Sequence, residues 1–428
     1  MEPKDFSAER QASAKLISPA RAAAFHVLSR VAVSAAHSDD MLHSLAVNAL
    51  SPEDRNLTTT LVLGVLRWQL YLDEVLRPML QRPDAELHPA ALLAIHLGLF
   101  QLLYLDRIPA HAALNESVEL ARANGAAHAA GMVNAILRRA SREKPVARNT
   151  LMVANTPAEQ AHPNWLMNRW RKNLGGAAAR RAADYDQVEP PAHELFTPDP
   201  ALPEMDDGSR LIAELACASV AAPKRILDCC AAPGGKTAVL AVRYPDAVIV
   251  ASDISEKRLS AMRKRLDRDP ATAKVKTVMA DMTGPQTDPL LGAGFDLILC
   301  DAPCSGTGTL ARNPEIRHRL RPSDLPRQAE RQRGILAAAL KLLAPGGRLV
   351  YSTCSLEPEE NEAVVISVLE TTPEARLVEP APLLQNLDLK EEARDRLTAA
   401  AGPDALRILP GTQPCDGFYV AVLERGGE

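Results

Sequence analysis

The strongest constraint on the fold is a regular alternation in the C-terminal half of the chain. After Pro223, short runs rich in β-branched residues alternate with segments of helical character, and these runs are 225–228, 248–253, 275–281, 295–301 and 348–355. Parallel strands joined by crossover helices produce this pattern, so it predicts an α/β domain with a doubly wound, Rossmann-like sheet. A late run, 417–425, is expected to add an edge strand. Four of the five runs end on an aspartate. Since ligands bind beyond the carboxyl ends of such strands, these aspartates are expected at a binding site.

The region from Pro19 to about Arg142 has a different pattern. Alanine and leucine dominate, and apolar residues recur at three- and four-residue spacing, as at Ala24, Leu28 and Val31. That spacing is typical of amphipathic helices. Ser51, directly before a proline and two acidic residues, has the features of a helix start. The sequence therefore predicts an all-α N-terminal domain.

Charge and composition exclude several classes of protein. Among 428 residues, 49 are Lys or Arg and 53 are Asp or Glu, so a wholly basic nucleic-acid coat protein is excluded. The first twenty residues carry charges without an apolar core, so we expect no secretory signal and a cytoplasmic protein. The uncharged stretch 87–105 contains two histidines, a proline and a glutamine, so we interpret it as a buried helix and expect no membrane span. Seven cysteines, an odd number, argue against a disulfide framework.

Between Thr150 and Arg210 the chain is rich in proline, which predicts linkers around one short helix. Within it, 162–183 holds five basic residues, two tryptophans and no acidic residue. A basic, aromatic helix is suited to RNA phosphates and bases. A solvated helix with tryptophan in the core explains the same pattern equally well.

The segment from Asp228 to Thr237 follows the first predicted strand and opens a helix. Gly234 and Gly235 would let backbone amides approach a ligand closely. A phosphate-binding P-loop is disfavoured because Cys230 occupies its first glycine position, and a dinucleotide fingerprint is absent.

Two further aspartates narrow the choice of cofactor. Asp253 ends the second run eighteen residues after Gly235, about where a carboxylate reaches ribose hydroxyls in this architecture. A nucleoside cofactor without a pyrophosphate fits best, and S-adenosylmethionine is such a molecule. Asp281 would face its adenine. Each aspartate taken singly is also explained as a helix cap.

Two cysteines follow the fourth and fifth runs. Cys304 lies in the segment 301–306 and Cys354 in the segment 352–355, so both are expected in one cleft. Because the chain has no C-x-x-C pair, we expect no metal. A thiolate nucleophile with a carboxylate partner is the sharper hypothesis, and plain burial of small apolar thiols is the alternative.

Three motifs together resemble the RNA cytosine-C5 methyltransferases. They are Asp-Ala-Pro-Cys-Ser-Gly at 301–306, Cys-Ala-Ala-Pro-Gly-Gly-Lys-Thr at 230–237 and Thr-Cys-Ser at 353–355. The N-terminal part is similar to the NusB-like domain of bacterial small-subunit rRNA enzymes, through residues 64–67, 101–104, 108–112 and 133–138. The resemblance implies an N-terminal tail at 1–18, a NusB-like RNA-binding domain at 19–148, a linker with a short basic helix at 149–205, and a methyltransferase domain at 206–428.

The resemblance also implies roles for individual residues. Cys354 is the thiolate that attacks cytosine C6, Cys304 assists the later elimination, and Asp301 bonds the cytosine edge near the cofactor. The implied S-adenosylmethionine contacts are Cys230, Ala231, Ala232, Pro233, Gly234, Gly235, Lys236, Asp253, Asp281 and Asp301. Since the target base must leave any stack, the expected partner is single-stranded or opened small-subunit rRNA, bound by a monomer.

Two features bear on RNA binding. Relatives carry a longer stretch after the Trp-containing helix, so this RNA-contacting region is abbreviated here. The segment 305–333 holds seven arginines against three acidic residues, which favours phosphate contacts, with a solvated helical face as the alternative. A tRNA substrate and a non-catalytic RNA-binding assembly factor remain alternatives to rRNA methylation.

Overall fold

A computed structural model describes residues 16–34, 36–84, 86–143 and 155–427. These residues form two compact units. The first unit contains the described chain up to Lys172 together with Asp186–Val188 and Leu310–Arg319. The second contains Asn173–Tyr185, Glu189–Thr309 and the chain from Leu320 onward.

The first unit is helical, as predicted. Its helices are α1 (Pro19–Val33), α2 (Ser38–Leu42), α3 (Leu45–Asn48), α4 (Pro52–Leu76), α5 (Pro89–Tyr104), α6 (Ala110–Ala123), α7 (Ala130–Arg142), α8 (Pro157–Gln160) and most of α9 (Asn164–Leu174), with 3-10 turns at Arg77–Met79 and Ala127–Ala129. Ser51 caps α4 by accepting a hydrogen bond from the amide of Asp54 at 3.1 Å. That contact confirms the helix start predicted at Ser51.

Helix α5 is the uncharged stretch that raised the membrane question. Eleven of its sixteen residues are buried within the helical core of the first unit. His96 on this helix is also buried, and its Nε2 atom lies 2.7 Å from a carboxylate oxygen of Asp73. The interpretation as a buried helix is therefore confirmed. In the described part of the chain, no helix is long and apolar enough to cross a membrane.

The second unit is built on one mixed sheet. Its strands are β1 (Arg225–Asp228), β2 (Val248–Asp253), β3 (Lys276–Met279), β4 (Phe295–Asp301), β5 (Leu343–Thr353), β6 (Ala375–Val378), β7 (Leu406–Ile408) and β8 (Phe418–Arg425). Its helices are α10 (Gly176–Tyr185), α11 (Asp207–Ser219), α12 (Gly235–Arg243), α13 (Glu256–Leu266), α15 (Asp324–Leu342), α16 (Glu362–Leu369), α17 (Ala381–Leu384) and α18 (Glu391–Ala400), with a 3-10 turn at Pro289–Leu291. The short helix α14 (Ile316–Arg319) belongs to the first unit.

The strand order is β3-β2-β1-β4-β5-β8-β6, with β7 paired to β8. The first five strands are parallel to one another, which confirms the predicted doubly wound α/β sheet. The expectation of an edge strand at 417–425 is wrong. Strand β8 pairs antiparallel with β5, β6 and β7, and its first six residues are buried, so it lies inside the sheet. A strand buried on both faces has a continuous apolar sequence, which carries no signal of its position in the sheet.

In its described part, from residue 155 onward, the proline-rich region contains three helices, α8, α9 and α10, where one short helix was expected. Thr150 and the four residues after it lie outside the described residues. Trp170 is only 1% exposed, and its ring lies 5.6 Å from that of His162 in the first unit. Trp170 therefore belongs to the core, as the alternative interpretation of this segment proposed. Trp165 is half-buried.

Candidate functional site

The carboxyl ends of β1, β2 and β4 bring three predicted aspartates to one edge of the sheet. Asp228, Asp253 and Asp301 are the last residues of these strands, and the strands are neighbours in the order β2-β1-β4. Asp281 lies two residues beyond β3, which ends at Met279 and not at the aspartate. The same edge is the one at which doubly wound sheets bind ligands.

The loop after β1 folds back on β2 and then turns into helix α12. The amide of Ala231 donates to the carbonyl of Ser252 at 2.8 Å, and the hydroxyl of Thr237 donates to the Asp228 carboxylate at 2.7 Å. Gly234 precedes the helix with a φ of +98°, in the left-handed region that favours glycine. A Cβ atom there would lie 2.8 Å from the Cγ atom of Met262. Glycine at 234 therefore allows the close packing that leaves the first amides of α12 at the sheet edge.

Burial changes the acid–base properties of this loop. Asp228 is 1% exposed, and burial raises its pKa to about 7, against the opposing hydrogen bond from Thr237. Burial also raises the pKa of Cys230 well above its usual value. Cys230 is therefore a neutral thiol at neutral pH, suited to contact an apolar or weakly polar part of a ligand.

Asp253 faces the loop after β1 from the neighbouring strand. Its side chain is 3% exposed, and one oxygen accepts from the amide of Ala232 at 3.3 Å and pairs with Arg258 at 3.0 Å. The other oxygen accepts from the amide of Ser255 at 3.0 Å. Asp253 thus lies at the predicted position beside the cofactor loop and at the same time orders the start of α13.

Asp281 is placed differently. It is exposed, and one of its oxygens accepts from the amide and the hydroxyl of Thr283, at 2.9 and 2.7 Å. These hydrogen bonds lower the pKa of the Asp281 carboxyl. The contacts are those of a local turn and no described helix starts at Asp281, so the alternative of a helix cap does not hold for Asp281. The exposed carboxylate still lies beside the edge that holds Asp253.

The two cysteine loops meet at the ends of β4 and β5. Asp301 and Ser352 are register partners in these strands, so the segments that follow them leave the sheet side by side. The Sγ atoms of Cys304 and Cys354 lie 3.4 Å apart, and the amide of Gly308 donates to the carbonyl of Cys354 at 2.9 Å. The expectation that both thiols occupy one place is met by this geometry.

Cys304 is a buried thiol. The hydrogen bond with Cys354, burial, and the negative charge of Glu360 raise the pKa of Cys304 well above its usual value. Cys304 therefore keeps its proton at neutral pH. A neutral thiol can donate its proton to a hydrogen bond, so Cys304 can act as a donor toward the sulfur of Cys354.

Asp301 is paired with the lysine of the cofactor loop. The Nζ atom of Lys236 lies 2.7 Å from one Asp301 oxygen, and the hydroxyl of Ser352 donates to the other oxygen at 2.7 Å. Burial lowers the pKa of Lys236, but the charge of Asp301, the hydrogen bond to Asp301 and the charge of Asp206 act together against burial, and the net pKa is raised. The ion pair joins the predicted cofactor loop to the predicted substrate edge.

Sequence reasoning missed Glu360. It is 0% exposed, and its carboxyl group accepts hydrogen bonds from Ser305 and Ser355, which follow the two cysteines. The only local signal is the acidic and polar run 357–361 directly before an apolar helix, which looks like an ordinary helix start. Ser352 was also missed, because a serine at a strand end has no distinguishing pattern.

The arginines between 305 and 333 do not form one phosphate-binding face. Arg317 is 2% exposed and donates to four main-chain carbonyls within the first unit, those of Arg67, Ala161, Asp186 and Leu310, at 2.9–3.3 Å. Burial lowers its pKa to about 10. Arg319 donates to two further carbonyls in the same unit. The prediction of phosphate contacts is therefore wrong for Arg317, whose two Nη atoms donate to carbonyls in the protein interior.

Family models match both halves of the chain. A model described as 16S rRNA methyltransferase RsmB/F matches residues 219–424, and a model of the NusB family matches residues 18–142.

Individual proteins also resemble the chain over most of its length. The ribosomal RNA small subunit methyltransferase B of Vibrio cholerae is 33% identical, with 95% of this chain and 97% of that protein covered. The protein of the same name from Escherichia coli O157:H7 is 34% identical, with 87% and 91% covered. Among solved structures, PH0851 has the same fold, with a TM-score of 0.68 and 21% identity over 96% of this chain and 99% of that one.

Proposed function

The chain belongs to the RsmB/F family of 16S rRNA methyltransferases, and we propose that it methylates C5 of a cytosine in small-subunit rRNA, acting in the cytoplasm as a monomer. One observation carries the proposal. Two thiols lie 3.4 Å apart at the end of the sheet that also bears the ion pair of Asp301 with Lys236. S-adenosylmethionine, the methyl donor of this family, supplies an electrophilic methyl group on a sulfonium.

Cys354 acts as the nucleophile. Cytosine C5 is a poor nucleophile until a thiolate adds to C6 and makes the ring enamine-like. When Cys354 is the thiolate, the Cys304 thiol, which retains its proton, is the donor of the hydrogen bond between the two sulfurs. That bond stabilises negative charge on Cys354 before it attacks and again when it leaves. Once C5 carries the methyl group, its proton passes to a water molecule and the electron pair of that C–H bond forms the C5–C6 double bond. The C6–S bond then breaks, and Cys354 leaves as the thiolate.

Asp301 binds the Watson–Crick edge of the cytosine. Its carboxylate accepts from the amino group of the base, and the ammonium of Lys236, 2.7 Å from that carboxylate, supplies positive charge where negative charge develops on the ring. The hydroxyl of Ser352 orients the carboxylate. Recognition of this edge requires an unpaired base, so opened or single-stranded RNA is the substrate.

The loop from Cys230 to Lys236 would hold the cofactor. The first amides of α12 and the neutral Cys230 thiol fit a nucleoside cofactor that lacks a pyrophosphate. Asp253, at the adjacent strand end, would take the ribose hydroxyls. Asp281, two residues beyond the end of β3, would contact the adenine.

The decisive experiment measures transfer of a labelled methyl group from S-adenosylmethionine to unmodified small-subunit rRNA, with the labelled nucleoside identified chromatographically. Label in 5-methylcytidine is expected, with none on bulk tRNA. Label on tRNA alone would favour the tRNA alternative. Binding of rRNA with no labelled product from any RNA would favour the assembly factor.

Two variants test the roles of the thiols. Cys354→Ala should abolish transfer, and Cys304→Ala should transfer the methyl group yet accumulate an RNA–protein adduct that survives denaturing electrophoresis. Cys217→Ala removes a cysteine of α11 in the same unit and serves as the control, with activity near that of the wild type. Full activity of Cys354→Ala would overturn the assignment of the nucleophile.

A further inference from the structure

A single buried carboxyl group connects the two cysteine loops. One oxygen of Glu360 accepts from the amide of Ser305 at 2.8 Å. The other accepts from the hydroxyl of Ser355 at 2.5 Å and from the hydroxyl of Ser305. Ser305 directly follows Cys304, and Ser355 directly follows Cys354. Glu360 is therefore bonded to the residue next to each thiol.

Glu360 is itself held from other elements. The Nε2 atom of Gln332 on α15 donates to the Glu360 oxygen that also accepts from the Ser305 amide, at 3.1 Å. The same Nε2 atom donates to the carbonyl of Pro303 at 2.9 Å. The hydroxyl of Tyr351 on β5 donates to the main-chain carbonyl of Glu360 at 2.6 Å. The carboxyl group is thus held by α15 and the main chain of Glu360 by β5, so Glu360 cannot follow one loop without straining these contacts.

The partners match an acceptor. The main-chain N–H of Ser305 and the Nε2 atom of Gln332 can only donate, and both donate to the same carboxyl oxygen of Glu360. Burial raises the pKa of Glu360, while the hydrogen bonds from Ser305, Ser355 and Gln332 act against that rise. Burying such a group is costly, and well-packed apolar residues often replace buried ionic groups without loss of stability. Stability alone therefore does not account for a carboxyl group at this place.

We infer that Glu360 is a positioning residue that holds the thiols of Cys304 and Cys354 at the separation that their joint chemistry needs. The importance of that separation for catalysis rests on the proposed function, whereas the separation itself can be measured without RNA or cofactor. A displacement of about 1 Å at a reacting group costs about a hundredfold in rate. Loss of the Glu360 clamp is therefore expected to affect the chemistry of both thiols.

The test measures how fast a disulfide forms between Cys304 and Cys354. Diamide takes two electrons and two protons from the two thiols and is reduced to a hydrazine, while a bond forms between the sulfurs. The sulfurs must close from 3.4 Å to about 2 Å. The rate of the 304–354 cross-link, followed by peptide mapping on the full chain, therefore reports how the loops are held.

Three variants separate position from charge and from general stability. Glu360→Ala removes the clamp, and we expect the cross-link to form at least tenfold more slowly. Glu360→Gln keeps an oxygen for the two obligate donors and turns its amino group to the serine hydroxyls, so we expect a rate within about threefold of the wild type. Glu214→Gln removes the charge of a buried carboxylate on α11 that pairs with the exposed Arg243 on α12, and this control should cross-link at the wild-type rate.

Methyl transfer is measured on the same variants in single turnover. We expect a loss of about a hundredfold for Glu360→Ala, with rescue by glutamine and unchanged affinity for S-adenosylmethionine. If the alanine variant does not fold, Glu360→Asp retracts the carboxyl group by one methylene and takes its place. Cross-linking of the alanine or aspartate variant at the wild-type rate would overturn the inference. So would an equal slowing of Cys354 alkylation by iodoacetamide, which would indicate changed access to the thiols. The cross-linking assay needs no RNA. Absence of rRNA methylation would therefore overturn the proposed function and leave the cross-linking result for Glu360 intact.

Discussion

Replacing Asp228 with asparagine should stabilise the protein increasingly as the pH rises. Asp228 is 1% exposed, and burial raises its pKa from 3.8 to about 7. Between these values the folded protein holds a proton that the unfolded chain has lost. Stability therefore falls as the pH rises from about 4 to about 7 and then levels off. Asparagine has the same shape, keeps an acceptor for Thr237 and carries no charge at any pH in this range.

The magnitude follows from the two pKa values. Each pH unit between them is worth about 1.4 kcal/mol, which gives a ceiling of ~4 kcal/mol above pH 7. At pH 5 about one unit of that interval has already been crossed, so the gain between pH 5 and pH 8 is ~3 kcal/mol. Any hydrogen bond that asparagine makes less well lowers stability by about 1 kcal/mol, equally at both pH values. The raised pKa is therefore tested by how the stability difference between Asp228→Asn and the wild type changes with pH. The size of that difference at a single pH does not test it.

Differential scanning calorimetry at pH 5 and pH 8 measures the effect. For a domain of this size ~3 kcal/mol corresponds to about 6–12 °C in Tm. The difference in Tm between Asp228→Asn and the wild type should therefore grow by that amount from pH 5 to pH 8. Asp246→Asn, an exposed aspartate of the same unit, is the control and should show no growth. A Tm difference that is the same at both pH values would refute the assignment of a raised pKa to Asp228.

Three further substitutions test other parts of the structure. Arg317→Met should lower the free energy of unfolding of the first unit by about 3–5 kcal/mol in urea titrations, because the carbonyls bonded to its guanidinium lose their donors. A loss below about 1 kcal/mol would contradict this role. Gly308→Ala places a Cβ atom 2.3 Å from the carbonyl oxygen of Gly417, so the loop must shift. Methyl transfer should fall at least tenfold, with unchanged cofactor affinity in a binding titration. Transfer at the wild-type rate would show that the loop adapts freely. Lys236→Met removes the cation beside Asp301, and the single-turnover rate should fall about a hundredfold, whereas a change in KM alone would mean that the pair only binds substrate.

The sequence alone determined those features that depend on neighbours along the chain. Helical spacing identified the all-α half, and alternating runs identified the parallel sheet, because side-chain periodicity is a local property. Strand ends are also local, so Asp228, Asp253 and Asp301 were correctly expected at one edge. The glycine at 234 could be singled out because a left-handed turn before a helix favours that residue type.

Tertiary structure decided what depends on partners far away in sequence. Strand β8 lies inside the sheet because it pairs with β5 across about seventy residues, and its apolar pattern fits either position. The Nη atoms of Arg317 donate inside the protein because carbonyls of three residues distant in sequence, Arg67, Ala161 and Asp186, converge on it, so counting charges along 305–333 misassigned it. Glu360 is bonded to both cysteine loops, and one partner, Ser305, lies more than fifty residues away in sequence. Nothing beside Glu360 in sequence indicates those contacts. Side-chain periodicity and turn residues depend on neighbours in sequence, so they can be read from the sequence. Hydrogen-bond partners in a packed interior are set only when distant segments meet.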